Sequence, residues 1–371
     1  MFFLRRYVSS SHGFIYLAWQ TSSTQHTMKK IRILSIDGGG IRGIIPGTIL
    51  GYIEKRLQQR DNSKLKIADY FDFVAGTSTG GILACAYLMP GADGKARFST
   101  EDALNLYLQK GGSIFHSGLV DKITRGWGLW DEKYNVKNMQ QDLDDFFGDT
   151  TLNQLIKPCL ITSYEITARQ STFFTSADAT DPISNFYVRD VARATSAAPT
   201  YFEPAHIKSL SGQQYSLIDG GVFANNPALC AYAEVRKTAF SKALNDAQKP
   251  DLPTAKDMLF VSLGTGTVQK PYTFNEMKDA GQLKWLDPII DILMSGNSET
   301  VCYQLLQLYK TLEGKDRNDY YRIEPPLREA LPEMDDADPQ NLENLRQAGL
   351  WYIDKHKDML DEIVEKLLEH K

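Results

Sequence analysis

Ser78 stands in Gly76-Thr77-Ser78-Thr79-Gly80, a Gly-x-Ser-x-Gly run between the short apolar stretch Asp72-Phe73-Val74-Ala75 and a longer one, Ile82 to Leu88. The first stretch reads as a buried strand and the second as the start of an apolar helix. Ser78 would then occupy a strand-to-helix turn that lifts its hydroxyl clear of the backbone. Glycines at 76 and 80 let such a turn close tightly. A hydroxyl so placed is a candidate nucleophile for acyl transfer, provided that one group takes its proton and another holds the negative charge that attack creates. The same pentapeptide can be a turn with no chemistry, so the decision rests on its company.

The charge-holding group is offered upstream. An apolar run, Ile31 to Ile36, ends in Asp37-Gly38-Gly39-Gly40-Ile41-Arg42-Gly43, and a helix with apolar residues at Ile45, Ile49, Ile53 and Leu57 follows. Pro46 suits its first turn, where a missing N–H costs nothing. Glycines ahead of a helix N-terminus leave amide groups free for a developing oxyanion. Gly38, Gly39 and Gly40 are therefore candidate donors, with Arg42 as an added positive charge. Gly38 to Gly43 also satisfies Gly-x-Gly-x-x-Gly, which invites a dinucleotide site. That site needs a second strand ending in an acidic residue roughly 20 residues on. The chain instead runs through a helix into the polar stretch Gln58 to Lys64, so no cofactor is expected.

Asp219 is the candidate proton acceptor. It ends the short strand Tyr215 to Ile218 and is backed by Gly220 and Gly221. Alone, an Asp before Gly more often caps a turn. A triad would add a histidine after the acid, but only His356 and His370 follow Asp219, both in a C-terminal segment of helical period whose charged face would carry them. His116 and His206 read as loop or surface residues, and His12 and His26 lie in a doubtful tail. The residues favour a two-membered device in which Asp219 takes the Ser78 proton directly. A carboxylate near its ordinary pKa of ~4 is a poor base at neutral pH, so the device requires a buried Asp219.

In this order, Asp-Gly-Gly-Gly-Ile-Arg-Gly, Gly-Thr-Ser-Thr-Gly-Gly and Asp-Gly-Gly resemble the motifs of the patatin-like phospholipases. Ala192 to Phe202 and Val261 to Thr267 are similar to further segments of that family, closest in flavour to plant patatins. The likeness runs from about Ile31 to Thr267. Asp219-Gly220-Gly221 stands where the family often has Asp-Gly-Ala, which leaves the aspartate in place. The resemblance implies a Ser78–Asp219 dyad, an oxyanion hole at Gly38 to Gly40 helped by Arg42, and motif glycines Gly43, Gly76, Gly80, Gly220 and Gly221. It implies hydrolysis of lipid acyl esters without a metal. An acyl transferase using the same residues, or a storage protein with incidental esterase activity, are the alternatives.

Composition sets the outer bounds. The 371 residues carry a net charge of −5, which argues against a nucleic-acid partner. Cys85, Cys159, Cys230 and Cys302 are far apart, with neither a zinc pattern nor a disulfide framework; Cys85 and Cys230, among small apolar residues, read as buried free thiols. No run approaches the ~18 apolar residues of a membrane span. The expected setting is cytoplasmic, with transient, peripheral contact with a lipid or phospholipid membrane. Oligomeric state is unreadable.

The elements that must position these residues alternate between strand and helix from Ile31 to about Val261. This pattern marks a three-layer α/β fold, a mostly parallel sheet with helices on both faces, related to but distinct from the α/β-hydrolase fold. Expected strands are Ile31–Ile36, Asp72–Ala75, Leu160–Thr167, Tyr215–Ile218 and Met258–Ser262, with Thr172–Thr175 as a hairpin partner. Residues 1–27 form a tail rich in serine and free of acidic residues. The favoured reading is a start site placed too early, before Met28; a targeting segment is the other. Residues 28–270 are the expected catalytic core and 271–371 a helical part packed on it. Trp127-Gly128-Leu129-Trp130, in an insertion, reads as core packing ahead of lipid contact.

Overall fold

In the computed structural model, residues 28–115, 132–268 and 271–371 are described. His116 and the Trp127–Trp130 segment lie outside them, as does the tail 1–27. Eight strands make one sheet: β1 (Ile31–Ile36), β2 (Phe73–Thr77), β3 (Cys159–Glu165), β4 (Gln170–Thr175), β5 (Ala205–Lys208), β6 (Gln214–Asp219), β7 (Met258–Leu263) and β8 (Tyr320–Ile323). Along the sheet the order is β5-β6-β3-β2-β1-β7-β8, with β4 also on β3. β3, β2, β1, β7 and β8 are parallel, while β4, β6 and β5 run antiparallel.

The central strands are apolar on both faces because both faces are covered. Leu34, Ile36, Val74, Val261 and Leu263 point into one core with α1 (Ile44–Asp61), α2 (Thr79–Leu88), α5 (Val188–Thr195), α8 (Pro339–Lys355) and α9 (Lys357–Glu369). The alternate residues Ile31, Ile33, Phe73, Ala75, Met258 and Phe260 point into a second core. There they meet α6 (Ala228–Arg236) and the 29-residue α7 (Gln282–Lys310). α3 (Thr100–Phe115) and α4 (Glu132–Phe147) complete the first layer. The expected apolar stripe of α1 is fully buried at Ile45, Ile49, Ile53 and Leu57.

Two strands differ from the sequence reading. β5 was not expected, and β8 puts a strand from the C-terminal region into the sheet beside β7. The segment after Leu342 is two helices, broken at His356, whose backbone leaves the helical region. Cys85 and Cys159 are buried free thiols, whereas Cys230 is only half-buried.

Candidate active site

One edge of β3 sets the site. β4 occupies one side of that strand from Leu160 to Glu165, so β2 and β6 share the other. β2 pairs with its first half, ending at Thr77 opposite Thr162; β6 enters antiparallel beyond it, with Asp219 opposite Ser163. The residue after Thr77 and the residue that ends β6 therefore meet across the end of β2. Those residues are Ser78 and Asp219; both line one cleft, and the Ser78 hydroxyl is near enough to act on the Asp219 carboxyl.

Ser78 sits at φ 54° and ψ −123°, between β2 and α2. A non-glycine residue holds such a backbone only where its surroundings impose it, at a cost on the order of 1–3 kcal/mol. The surroundings here are close. A Cβ on Gly76 would lie 2.2 Å from the Gly80 carbonyl, and one on Gly80 would lie 2.2 Å from that of Ile36. The Ser78 amide donates to Thr195 Oγ1 at 2.9 Å, and the Asp219 amide donates to the Ala197 carbonyl at 2.9 Å. One segment, the end of α5 and the turn after it, thus holds both members of the pair.

Asp219 is buried, and the burial pushes its carboxyl up to about 7; the Ser78 hydroxyl and the Gly221 amide, 2.7 Å from Oδ1, pull the other way. Among the described residues no histidine lines the cleft: His206 and His356 are exposed, and His370 follows α9 at the far end of the sheet.

The glycine loop stands against Ser78: a Cβ on Gly38 would lie 3.2 Å from Ser78 Cβ. Its three amides are not equivalent. That of Gly38 donates to the Asn225 carbonyl at 3.0 Å, whereas those of Gly39 and Gly40 have no protein acceptor among the described residues. Thr265 Oγ1 donates to the Gly38 carbonyl at 2.7 Å, and Arg42 Nε to the Gly39 carbonyl at 3.3 Å. In a trans peptide the N–H points opposite to the C=O. Each anchored carbonyl therefore aims the following amide, Gly39 or Gly40, away from Thr265 and Arg42.

Two cavities flank this loop. The first, about 800 Å³ with its mouth included, holds Ser78, Asp219 and Gly40 at its base. Its walls are apolar: Tyr201, Phe202, Ile290, Leu293, Met294 and Met334. The second, about 1200 Å³, is polar and contains the Arg42 and Thr265 side chains. Arg42 thus sits behind the loop and reaches the Ser78 side only through the Gly39 peptide. Burial lowers its pKa, offset by the carboxylates of Asp291 and Glu324. In the same cavity Asp37 is bound by Arg322 Nη1 and Nη2 at 3.0 and 2.7 Å, yet burial raises its carboxyl to about 6.

Ser78, Asp219 and Gly40 line one cleft, and Gly38, Gly76, Gly80 and Gly221 pack closely around them. The sequence reading missed Thr195, Thr265 and Asn225, whose hydroxyls and carbonyls act on backbone and leave no spacing signature. The run Ala192 to Phe202 did carry a signal, since small residues followed by Tyr201 and Phe202 become the cleft wall.

The Patatin-like phospholipase family profile matches residues 34–232. Patatin-like protein 2 of Oryza sativa subsp. indica is 34% identical over 359 residues, 92% of this chain and 88% of that protein. Patatin-like protein 1 of Arabidopsis thaliana is 34% identical over 86% of this chain and 80% of its own length. Patatin group J-1 of Solanum tuberosum is 33% identical over 89% and 85%. Among solved structures, VipD from Legionella pneumophila is similar at 12% identity and a TM-score of 0.35, over 88% of this chain and 67% of that one. The chain belongs to the patatin-like phospholipase family. Lipid acyl ester hydrolysis is the general activity of that class.

Proposed function

We propose that the protein is a lipid acyl hydrolase of the phospholipase A or lysophospholipase type, working through a Ser78–Asp219 dyad and an acyl-enzyme. The observation that carries this reading is the juxtaposition, in one cleft, of Ser78 with a buried carboxyl group whose pKa is raised to about 7. A base with that pKa is half ionised near neutrality and still basic enough to take a hydroxyl proton.

Ser78 Oγ attacks the ester carbonyl while its proton passes to Asp219. The amides of Gly39 and Gly40 donate to the oxyanion, and Arg42 and Thr265 hold those peptides from behind. Charge on the Arg42 guanidinium also polarises the Gly39–Gly40 peptide and strengthens its N–H as a donor. The proton returns to the leaving alkoxide as the acyl–oxygen bond breaks. Water then loses its proton to Asp219 and attacks the acyl-Ser78 ester; the proton passes from Asp219 to Ser78 Oγ as that bond breaks and the fatty acid leaves. The apolar cleft walls suit an acyl chain. No metal enters these steps.

The test is fatty-acid release from phosphatidylcholine vesicles with a chelator present. Ser78→Ala and Asp219→Asn are expected to lose at least about 10³-fold in rate, the scale of losing a member of such a unit. Release that is equal in all three proteins, or that stops with the chelator, overturns the reading. Transfer of the acyl group to an added alcohol in preference to water would mark the acyl-transferase alternative.

A further inference from the structure

The first half of α7 presents an apolar face that nothing among the described residues covers. Trp285, Ile289 and Ile292 fall on one side of the helix and are exposed, Ile289 at 47% and Ile292 at 45%. The stripe is continuous with the cleft. Leu293, 57% exposed, lies beside it and also lines the cleft, and Val222 across the mouth is 40% exposed and lines it too.

The charged side chains described on this stretch are turned away from the stripe. Lys284 Nζ donates to the Glu276 carbonyl at 2.7 Å, and Asp291 faces the polar cavity behind the glycine loop. An apolar patch that begins inside an acyl-binding cleft and continues onto the surface, tipped by a tryptophan, fits the boundary between headgroups and acyl chains. The chain's net charge of −5 supplies no long-range attraction to anionic lipid.

We propose that the Trp285–Leu293 face of α7, with Val222, is the surface by which this protein docks on a lipid bilayer, inserting apolar side chains around the cleft mouth without requiring anionic lipid. The proposal rests on the reading of the cleft as a lipid acyl site. It differs from the general expectation of membrane contact in naming the face and its chemistry. No helix among the described residues is long and apolar enough to cross a membrane, so this contact lies in the interface plane.

The experiment is flotation with phosphatidylcholine vesicles, done in a Ser78→Ala background so that no lipid is consumed. Glutamine keeps helix propensity while removing apolar area. Ile289→Gln combined with Ile292→Gln is expected to weaken partitioning at least about 10-fold, by loss of apolar burial. Leu252→Gln removes an equally exposed leucine ahead of the opposite end of β7 and is expected to change nothing. Binding should persist in 1 M salt on the order of a short screening length. With Ser78 intact, the double variant should cleave a soluble short-chain ester within about two-fold of the parent. The proposal is overturned if the parent does not partition, if the double variant partitions as well as the parent, or if binding needs anionic lipid and is lost in salt. It also fails if the parent sediments as a dimer that the double variant dissolves, since the stripe then faces a second copy. A Ser78→Ala protein that still cleaves the soluble ester would sink the dyad, separately from the flotation result.

Discussion

At the scale of single residues, the site depends on groups that never meet substrate. Thr265 is buried, and its hydroxyl donates to the Gly38 carbonyl. Thr265→Val keeps the volume and removes the donor, so the Gly38–Gly39 peptide loses its anchor and the Gly39 N–H its aim. Loss of a whole oxyanion donor costs 10²–10³ in rate; a misaimed one should cost about 10-fold in kcat with KM unchanged. A rise in KM instead would place Thr265 in substrate binding. Asp219 makes a second, pH-dependent prediction. Its carboxyl is raised to about 7 by burial and must be ionised to act as the base. Activity should therefore rise through a single ionisation near pH 7 and level off above it. The effect on folding has the opposite sign. A raised acid holds a proton that the unfolded chain would release above ~4, so wild-type stability falls as pH rises from there to about 7. Asp219→Asn removes that loss and should be more stable at pH 8, by on the order of 4 kcal/mol, with the gap closing toward pH 4. Urea melts at the two pH values decide it; an equal gap at both would mean the carboxylate is not desolvated.

At the scale of elements, legibility followed the source of each signal. β1, β2 and β7 were readable because strands buried on both faces are written as continuous apolar runs, as in Ile31–Ile36 and Met258–Leu263. Ser78, Asp219 and the glycine loop were readable because their backbones demand particular residues: a turn at Gly76 and Gly80, and Gly40 at φ +58° with the Met334 carbonyl against it. β5 and β8 were not. Ala205-His206-Ile207-Lys208 is half polar because one of its faces is exposed, and Tyr320-Tyr321-Arg322-Ile323 contains an arginine explained by its partners Asp37 and Glu324. The shared edge of β3, which brings Ser78 to Asp219, left no local pattern at all. It arises because β2 stops after Thr77 and β6 ends on Asp219, a coincidence of two lengths that exists only once the sheet is assembled. The amide of Gly38 shows the same limit, since its use by Asn225 depends on a turn far along the chain.

At the scale of the whole molecule, the C-terminal helix is tied to the sheet by charge. Asp72, just before β2, is buried with Arg32 of β1 and Lys249, at 2.7 and 2.6 Å. Burial alone would raise the Asp72 carboxyl, but the two cations outweigh it and hold it below the ordinary range. The cations reach further: Lys249 Nζ donates to the carbonyls of Lys30 and His370 at 2.9 and 2.8 Å, and Arg32 Nη1 to that of Leu367 at 3.4 Å. Positive charge thus meets the C-terminal end of α9, where the helix leaves carbonyls unpaired. Removing the carboxylate strands two buried cations, the most damaging way to break such a cluster. Asp72→Ala should cost about 3–5 kcal/mol. Glu365, on the outer face of α9, pairs with Arg60 at 3.1 Å with both side chains about half exposed, and Glu365→Ala should cost under about 1 kcal/mol. Urea denaturation of the two variants tests the contrast. Because the Asp72 pKa is depressed, the wild-type advantage is present above ~4 and is lost as pH falls below it, so the Asp72→Ala deficit should shrink on acidification. Equal costs for Asp72 and Glu365 would mean that the C-terminal helix is held by Leu360, Ile363 and Leu367 in the apolar core alone.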